Sequence, residues 1–224
     1  MITFIRSVSR RTEIVTTLTL AFGYFVFASL LRVSLGPVSI VISNDEIGFL
    51  LAYELAILVL LCGFLRVRGW SFADVGLEPR LGGIVEGAVL WGVVLIATWI
   101  VASLAVNFSP EVRAAIMRST FKGDGLQSLP IVALSIVNPL FEELFVCGYL
   151  ITALRGVVSP TMAINASVCL RLAYHLYQGP VGVVSIIPAG LIFAYWFTRT
   201  GRLWPIIVAH ATDDLLSLTI GVSS

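Results

Sequence analysis

The sequence predicts an all-α, polytopic transmembrane bundle of about seven helices with a cytoplasmic N-terminus, a single integral membrane domain over residues 1–224. Three observations predict it: a composition too apolar for a soluble exterior, a series of apolar stretches of spanning length, and arginines gathered mostly on one side of those stretches. Hydrophobic residues make up 58% of the chain and charged residues 12%, against roughly 25% charged in an ordinary soluble domain. Such a chain cannot cover itself with polar groups, so membrane lipid is its expected surrounding. The net charge of +1, with no basic stripe interleaved with aromatics, points away from nucleic acid. Cys62, Cys147 and Cys169 are odd in number, widely spaced and set in apolar segments, which reads as small core residues rather than disulfides or metal ligands.

The elements follow in order. Residues 14–31 are free of charge and just long enough to span, and they follow Arg6, Arg10 and Arg11. Their length, and the lack of a clean small-x-small site after them, favour a retained helix over a cleaved signal. The second span is 47–65, interrupted only by Glu54, a residue expected either to bond a neighbouring helix or to line a cavity. Residues 66–80 read as a loop or surface helix with turn signals at Gly69, Gly76 and Pro79. The third span is 81–106, a polar loop follows over 107–125, and four further spans lie near 126–154, 159–178, 182–198 and 203–220.

Seven spans put the termini on opposite sides. On the N-terminal side fall Arg6, Arg10, Arg11, Arg66, Arg68, Arg80, Arg155, Arg199 and Arg202, and on the other Arg32, Arg113, Arg118 and Lys122. Nine against four sets the N-terminal side as cytoplasmic, because Lys and Arg accumulate in cytoplasmic loops. An integral membrane location is expected.

Ionisable groups at membrane depth cost roughly 2.5–3.5 kcal/mol on insertion scales, so they are kept for function or for a specific pair. Here they cluster: Glu142 and Glu143 in the fourth span, Arg171 and His175 in the fifth, His210, Asp213 and Asp214 in the seventh. His175 and His210 are the only histidines of the chain. Arg171 with His175, and His210 with Asp214, stand at i, i+4 and share a helix face. Glu142 and Glu143 diverge by about 100° around their helix, so one can face a cavity and the other a neighbouring helix. A carboxylate beside a neutral imidazole can hold and deprotonate water. A second histidine can donate to the oxyanion of an attacked carbonyl. Depth is less consistent: Glu142 and His175 fall roughly 20 and 24 Å from the cytoplasmic ends of their helices, His210 only some 8–10 Å, at about 1.5 Å per residue. Agreement requires a tilted or deeply starting last helix.

These residues resemble the CAAX prenyl protease and bacteriocin-processing family of intramembrane proteases, also called abortive-infection-like proteins. Its Glu-Glu-x-x-x-Arg, Phe-x-x-x-His and His-x-x-x-Asn/Asp motifs are similar to EELFVC from Glu142, RLAYH from Arg171 and HATDD from His210. FADVGLEP from Phe72 and RTGRLWPIIVAH from Arg199 are similar to family segments too, so the resemblance covers about residues 70–220. It implies an intramembrane endopeptidase acting on a peptide or a prenylated or lipidated protein. Glu142 and His175 would activate water, with Glu143 as the second motif acid, and His210 and Asp214 would form the oxyanion site. No cofactor is required for such water activation, although a divalent metal is compatible with the ligand types. Two positions depart from the pattern: Cys147 stands for the motif arginine and Arg171 for the motif aromatic. Arg171 is therefore expected to pair with Glu143 from the neighbouring helix, as a structural support. Two other readings stay open, an inactive relative that binds peptides or confers bacteriocin immunity, and a small proton-coupled transporter.

Overall fold

The computed structural model describes residues 7–35, 41–118, 122–123 and 125–222. Arg6 of the arginine count, and residues 119–121 and 124 of the expected polar loop, lie outside them. The helices are α1 (Arg10–Ser34), α2 (Asn44–Val67), α3 (Leu81–Phe108), α4 (Pro110–Arg118), α5 (Ser128–Glu143), α6 (Leu150–Leu154), α7 (Pro160–His175), α8 (Gly179–Thr200) and α9 (Trp204–Val222). A π-helical turn, Leu144–Tyr149, makes α5 and α6 one continuous rod, and a 3-10 turn, Leu176–Gln178, ends α7. A two-residue parallel pairing joins Val41–Ile42 to Lys122–Gly123.

Five stretches are long and apolar enough to cross a membrane, one of them the 41 residues Pro160–Thr200. That stretch folds back at Gly179 (φ +61°), and α7 and α8 pack along each other with Gly190 against Arg171, so it is a hairpin of two helices. Among the described residues α9 completes seven long helical rods, in keeping with the about seven helices that the sequence predicts. The starts are local. Ser9 and Ser159 accept from Thr12 and Met162 backbone N–H groups, Ser43 and Glu46 form a capping box, and Pro160 takes the first turn of α7, where its missing donor costs nothing.

Two expectations change. The 107–125 region contains the nine-residue helix α4, which packs on α3 and α8. Cys169 is exposed on α7 and faces outward, whereas Cys147 is buried; a thiol is apolar enough for either setting. Residues 68–80 are turns rather than a helix. They form a strap under the bundle, where Ser71 donates from N and Oγ to Asp74 and holds that carboxyl below its usual range.

The arginine-rich ends meet physically. Glu13, 1% exposed, accepts from Arg68, Trp70 Nε1 (3.0 Å) and Tyr149 Oη (3.1 Å), tying α1 to the strap and the π turn. Gly76 (φ +70°) lies so close to Gly201 that a Cβ would fall 1.9 Å from the Gly201 carbonyl oxygen, and its own carbonyl accepts from Leu203 N at 2.9 Å. The opposite ends meet through Asn44, which donates to Gly125 O (3.0 Å) and accepts from Gln127 N (3.0 Å), and through Ser29 Oγ, which accepts from Tyr177 N (2.9 Å).

The depth discrepancy resolves in favour of a deeply starting last helix. Leu203 is wholly buried, and a Cβ on Gly148 would lie 3.1 Å from its Cδ2, so α9 begins level with Gly148 rather than at the membrane surface. From there the runs to Glu142 and to His210 are six and seven residues, roughly 9 and 10.5 Å, and the two side chains arrive at one depth.

α3 buries only Gly83, Gly87, Leu90 and Val94 and turns the rest of its apolar surface outward, as a helix in lipid does. Gly83 and Gly87 admit α9: a Cβ on either would lie 2.6 Å from Trp204 or Val208. This is close helix packing through small residues four apart, which replaces the hydrophobic drive that lipid cannot provide. Gly92, on the same helix, has nothing within 4 Å. Alanine favours a helix over glycine by roughly 0.5–1 kcal/mol, whereas overpacking costs typically about 1–3 kcal/mol. Gly92→Ala is therefore expected to leave unfolding in detergent unchanged or slightly later, and Gly87→Ala to bring it on earlier.

Candidate active site

The fourth, fifth and last crossings each supply part of one cluster. Glu142 and Glu143 end α5, just before the π turn; Arg171, Tyr174 and His175 lie on the last turns of α7; His210 and Asp214 share a face of α9. π-helical turns inside α-helices are rare and concentrate at functional sites. Here the turn follows the glutamates directly, and all six of its residues are buried.

Arg171 lies between the two glutamates. Its Nη2 donates to Glu143 Oε2 at 2.7 Å and its Nη1 to Glu142 Oε2 at 3.3 Å. The pairing with Glu143 is there, but the guanidinium fork bridges two carboxylates instead of clasping one. Its Nη2 also lies 4.0 Å from Cys147 Sγ, which puts the guanidinium beside the position of the absent motif arginine.

The two glutamates then diverge. Glu143 is fully buried, and its Oε1 meets His210 Nδ1 at 2.7 Å. Glu142 lines a cavity of about 430 Å³. Its Oε2 accepts from Tyr174 Oη at 2.7 Å, and its Oε1 accepts from Asn138 Nδ2 at 3.3 Å and faces His175 Nε2 at 3.6 Å. Gln178 Nε2 donates to His175 Nδ1 at 3.3 Å, which leaves the neutral ring's proton on Nε2, toward Glu142. His210 Nε2 is 3.5 Å from Asp214 Oδ1, so both ring nitrogens of His210 face carboxylate oxygens. An imidazolium, which donates from both nitrogens, satisfies that arrangement.

The structure thus brings Glu142, Arg171, His175, His210 and Asp214 to one cavity wall, with Glu143 sealed behind them. Asp213 lines the same cavity and accepts from Trp91 Nε1 at 3.2 Å. Glu54 meets both expectations held for it: it accepts from Asn138 Nδ2 at 2.7 Å and it lines the cavity. Asn138, Tyr174 and Gln178 were not singled out from sequence. Asn138 is legible in retrospect as the residue one turn before Glu142 on the same face, a polar side chain in an apolar helix.

Glu142, Glu143 and His210 offer ligand atoms within 4.8 Å of one another, close enough for one metal ion. Those atoms already have partners, however, and a divalent ion among them would sit beside a buried guanidinium, a repulsion magnified where the dielectric is low. The donor set as arranged suits the cation of Arg171 better than a metal.

Taken as chemistry, the arrangement sets a carboxylate and an imidazole 3.6 Å apart on the wall of a cavity inside the bundle. Residues 125–216 match the family model described as Type II CAAX prenyl endopeptidase Rce1-like. The match runs from just before α5 into α9 and takes in all three motifs, so this part of the chain is similar to Rce1-like CAAX endopeptidases. The match does not reach the FADVGLEP strap. No curated protein and no solved structure matches the chain.

Removing one partner of a buried ion pair costs about 3–5 kcal/mol, because the other charge is stranded. Arg171→Phe is expected to lower the unfolding midpoint in detergent sharply, and Arg171→Lys less, since a point charge reaches one carboxylate but cannot fork. Adding Cys147→Arg to Arg171→Phe is expected to recover part of the loss. No recovery in the double variant would refute the exchange of positions.

Proposed function

We propose that the protein is an intramembrane endopeptidase that hydrolyses a peptide bond with water activated by Glu142 and His175. The Rce1-like domain supports a protease at the level of the family. The single observation that carries the mechanism is the 3.6 Å approach of His175 Nε2 to Glu142 Oε1 on the cavity wall, which lets one water seated beside the pair bond to both.

The water accepts from His175 Nε2–H and donates to Glu142 Oε1. Glu142 takes a proton as the water oxygen bonds to the scissile carbonyl carbon, and passes it to the amide nitrogen as the C–N bond breaks, leaving a carboxylic acid and an amine. Arg171, Tyr174 and Asn138 hold the carboxylate in place from three directions. His210 donates from Nε2 to the oxyanion while Glu143 holds its other nitrogen. Asp214 then acts through His210 rather than on the oxyanion, because an ionised carboxylate there would repel the negative charge it is meant to stabilise. The reaction needs no metal on this reading. The partner is a peptide or a lipidated or prenylated protein reached within the membrane, and the setting is a bacterial plasma membrane.

Purified protein in liposomes with internally quenched prenylated peptides provides the test. Loss of a general base or an oxyanion donor is worth about 10²-fold or more in rate. Glu142→Gln, His175→Ala and His210→Ala are each expected to lose at least that in kcat while remaining folded, and a chelator is expected to leave the parent rate unchanged. Full activity in either the Glu142 or the His175 variant would end this reading. A parent that binds the peptides without cleaving them would instead be a non-catalytic relative.

A further inference from the structure

The cavity is closed at one end of the bundle and open at the other, and the closed end carries the arginines. Below the glutamates Phe145, Val146, Cys147, Tyr149, Leu203 and Ile206 are all 0% exposed, and none of them lines this cavity. Above them exposure rises in steps. The side chains of Glu143, Glu142, His210, His175 and Asp214 are 0, 7, 15, 20 and 24% exposed. At the rim Asp213 and Ser217 of α9 and Tyr177 after α7 are exposed and still line the cavity. Access to the water-activating pair is from the end where α7 and α9 finish and α2 begins.

Which side of the membrane that is follows from the connections. The strap 68–80 and the α8–α9 turn share the closed end, joined by Gly76 and Gly201, and Glu13 ties the start of α1 to the same end. The residues gathered there include Arg10, Arg11, Arg66, Arg68, Arg80, Arg155, Arg199 and Arg202, against Arg32, Arg113, Arg118 and Lys122 at the open end. The rule counts Lys and Arg in short loops and takes little notice of acids, so the pairing of Arg68 with Glu13 and of Arg202 with Glu86 does not weaken it.

We propose that the site is loaded from the non-cytoplasmic face, and that its substrate class is a polypeptide already carried across the membrane or anchored in its outer leaflet, not a cytosolic C-terminus. The cavity wall fits such a segment. Phe22, Phe25, Leu50, Val94 and Leu134 line it with apolar surface from four helices, which suits an extended peptide leaving the bilayer. This inference rests on the proteolytic reading for its chemistry, but its direction of access stands on geometry and charge.

Two experiments separate those parts. Ser217→Cys at the rim and Asp74→Cys in the strap are exposed in intact cells to a membrane-impermeant maleimide; the parent, whose Cys62, Cys147 and Cys169 all lie within helices, gives the background. Labelling of position 217 in intact cells, and of position 74 only after permeabilisation, is expected; the reverse pattern overturns the proposal. Internally quenched apolar peptides are then added to sealed vesicles of each orientation. Cleavage by right-side-out vesicles and its loss in inside-out vesicles is expected. Cleavage by inside-out vesicles alone would overturn external loading while keeping the hydrolase. External labelling of position 217 without cleavage in either vesicle or in detergent would keep the direction of access and remove the proteolytic reading.

Discussion

A guanidinium about 16 Å along a membrane helix from its start is stable only if its charge is answered, and the contacts of Arg171 set the register of three crossings. It answers two carboxylates at once, and one positive charge cannot neutralise two negative ones. The remainder is met by other donors: His210 on Glu143, and Tyr174 with Asn138 on Glu142. Each donor comes from a defined position, so α5, α7 and α9 are fixed relative to one another. A slip of α7 by one turn, about 5.4 Å, would carry Arg171 out of reach of both acids and strand three charges in a medium of low dielectric.

The same constraint divides the bundle. The half toward the arginines buries every residue of the π turn, and α9 starts inside it against Gly148 and Gly76. The other half holds the polar cluster and cannot close over it, because the carboxylates and imidazoles need either partners or water. Glu54 marks the boundary. One of its oxygens is bonded to Asn138, while the other is buried without a partner among the described residues. Asn138 reaches both Glu54 and Glu142, which links α2 to the cavity-lining carboxylate of α5 although α2 lies outside the Rce1-like match.

Much of this was legible in the sequence because membranes simplify the reading. Spans of fixed length and few charges place the helices, and the i, i+4 spacings of Arg171 with His175 and of His210 with Asp214 bring the site together. What was not legible depends on relations between distant segments. Helix α4 is short and polar enough to read as loop. The deep start of α9 depends on glycines that allow two turns to touch, and no local pattern records which backbone they will meet. Glu13, just before the first apolar stretch, carries no local signal of its partners, and the fold buries it under Arg68, Trp70 and Tyr149. The fork of Arg171 was read as one pair because sequence gives a side chain's face but not the number of acceptors it finds there.

Two adjacent glutamates with one backbone step between them end in opposite circumstances, and the helix geometry is the reason. The turn of about 100° per residue sends Glu143 toward the core between α7 and α9, where both its oxygens are bound by cationic or ring donors and no water reaches it. It sends Glu142 to the cavity wall, where Oε2 is bound in the same way but Oε1 keeps one weak donor at 3.3 Å and an imidazole at 3.6 Å. The sealed acid is out of reach of a substrate or a water, and its effect is to hold His210 and Arg171. The incompletely bonded acid is the one whose oxygen is available to accept a proton. Moving the cation from position 147 to 171 preserves this division, since the guanidinium still reaches Glu143 more closely than Glu142, at 2.7 against 3.3 Å. An arginine centred on Glu142 would have taken up the oxygen that now faces the cavity and left the sealed acid short of donors. The tolerance of the site for the exchange therefore depends on which of the two acids the cation favours, more than on which helix provides it.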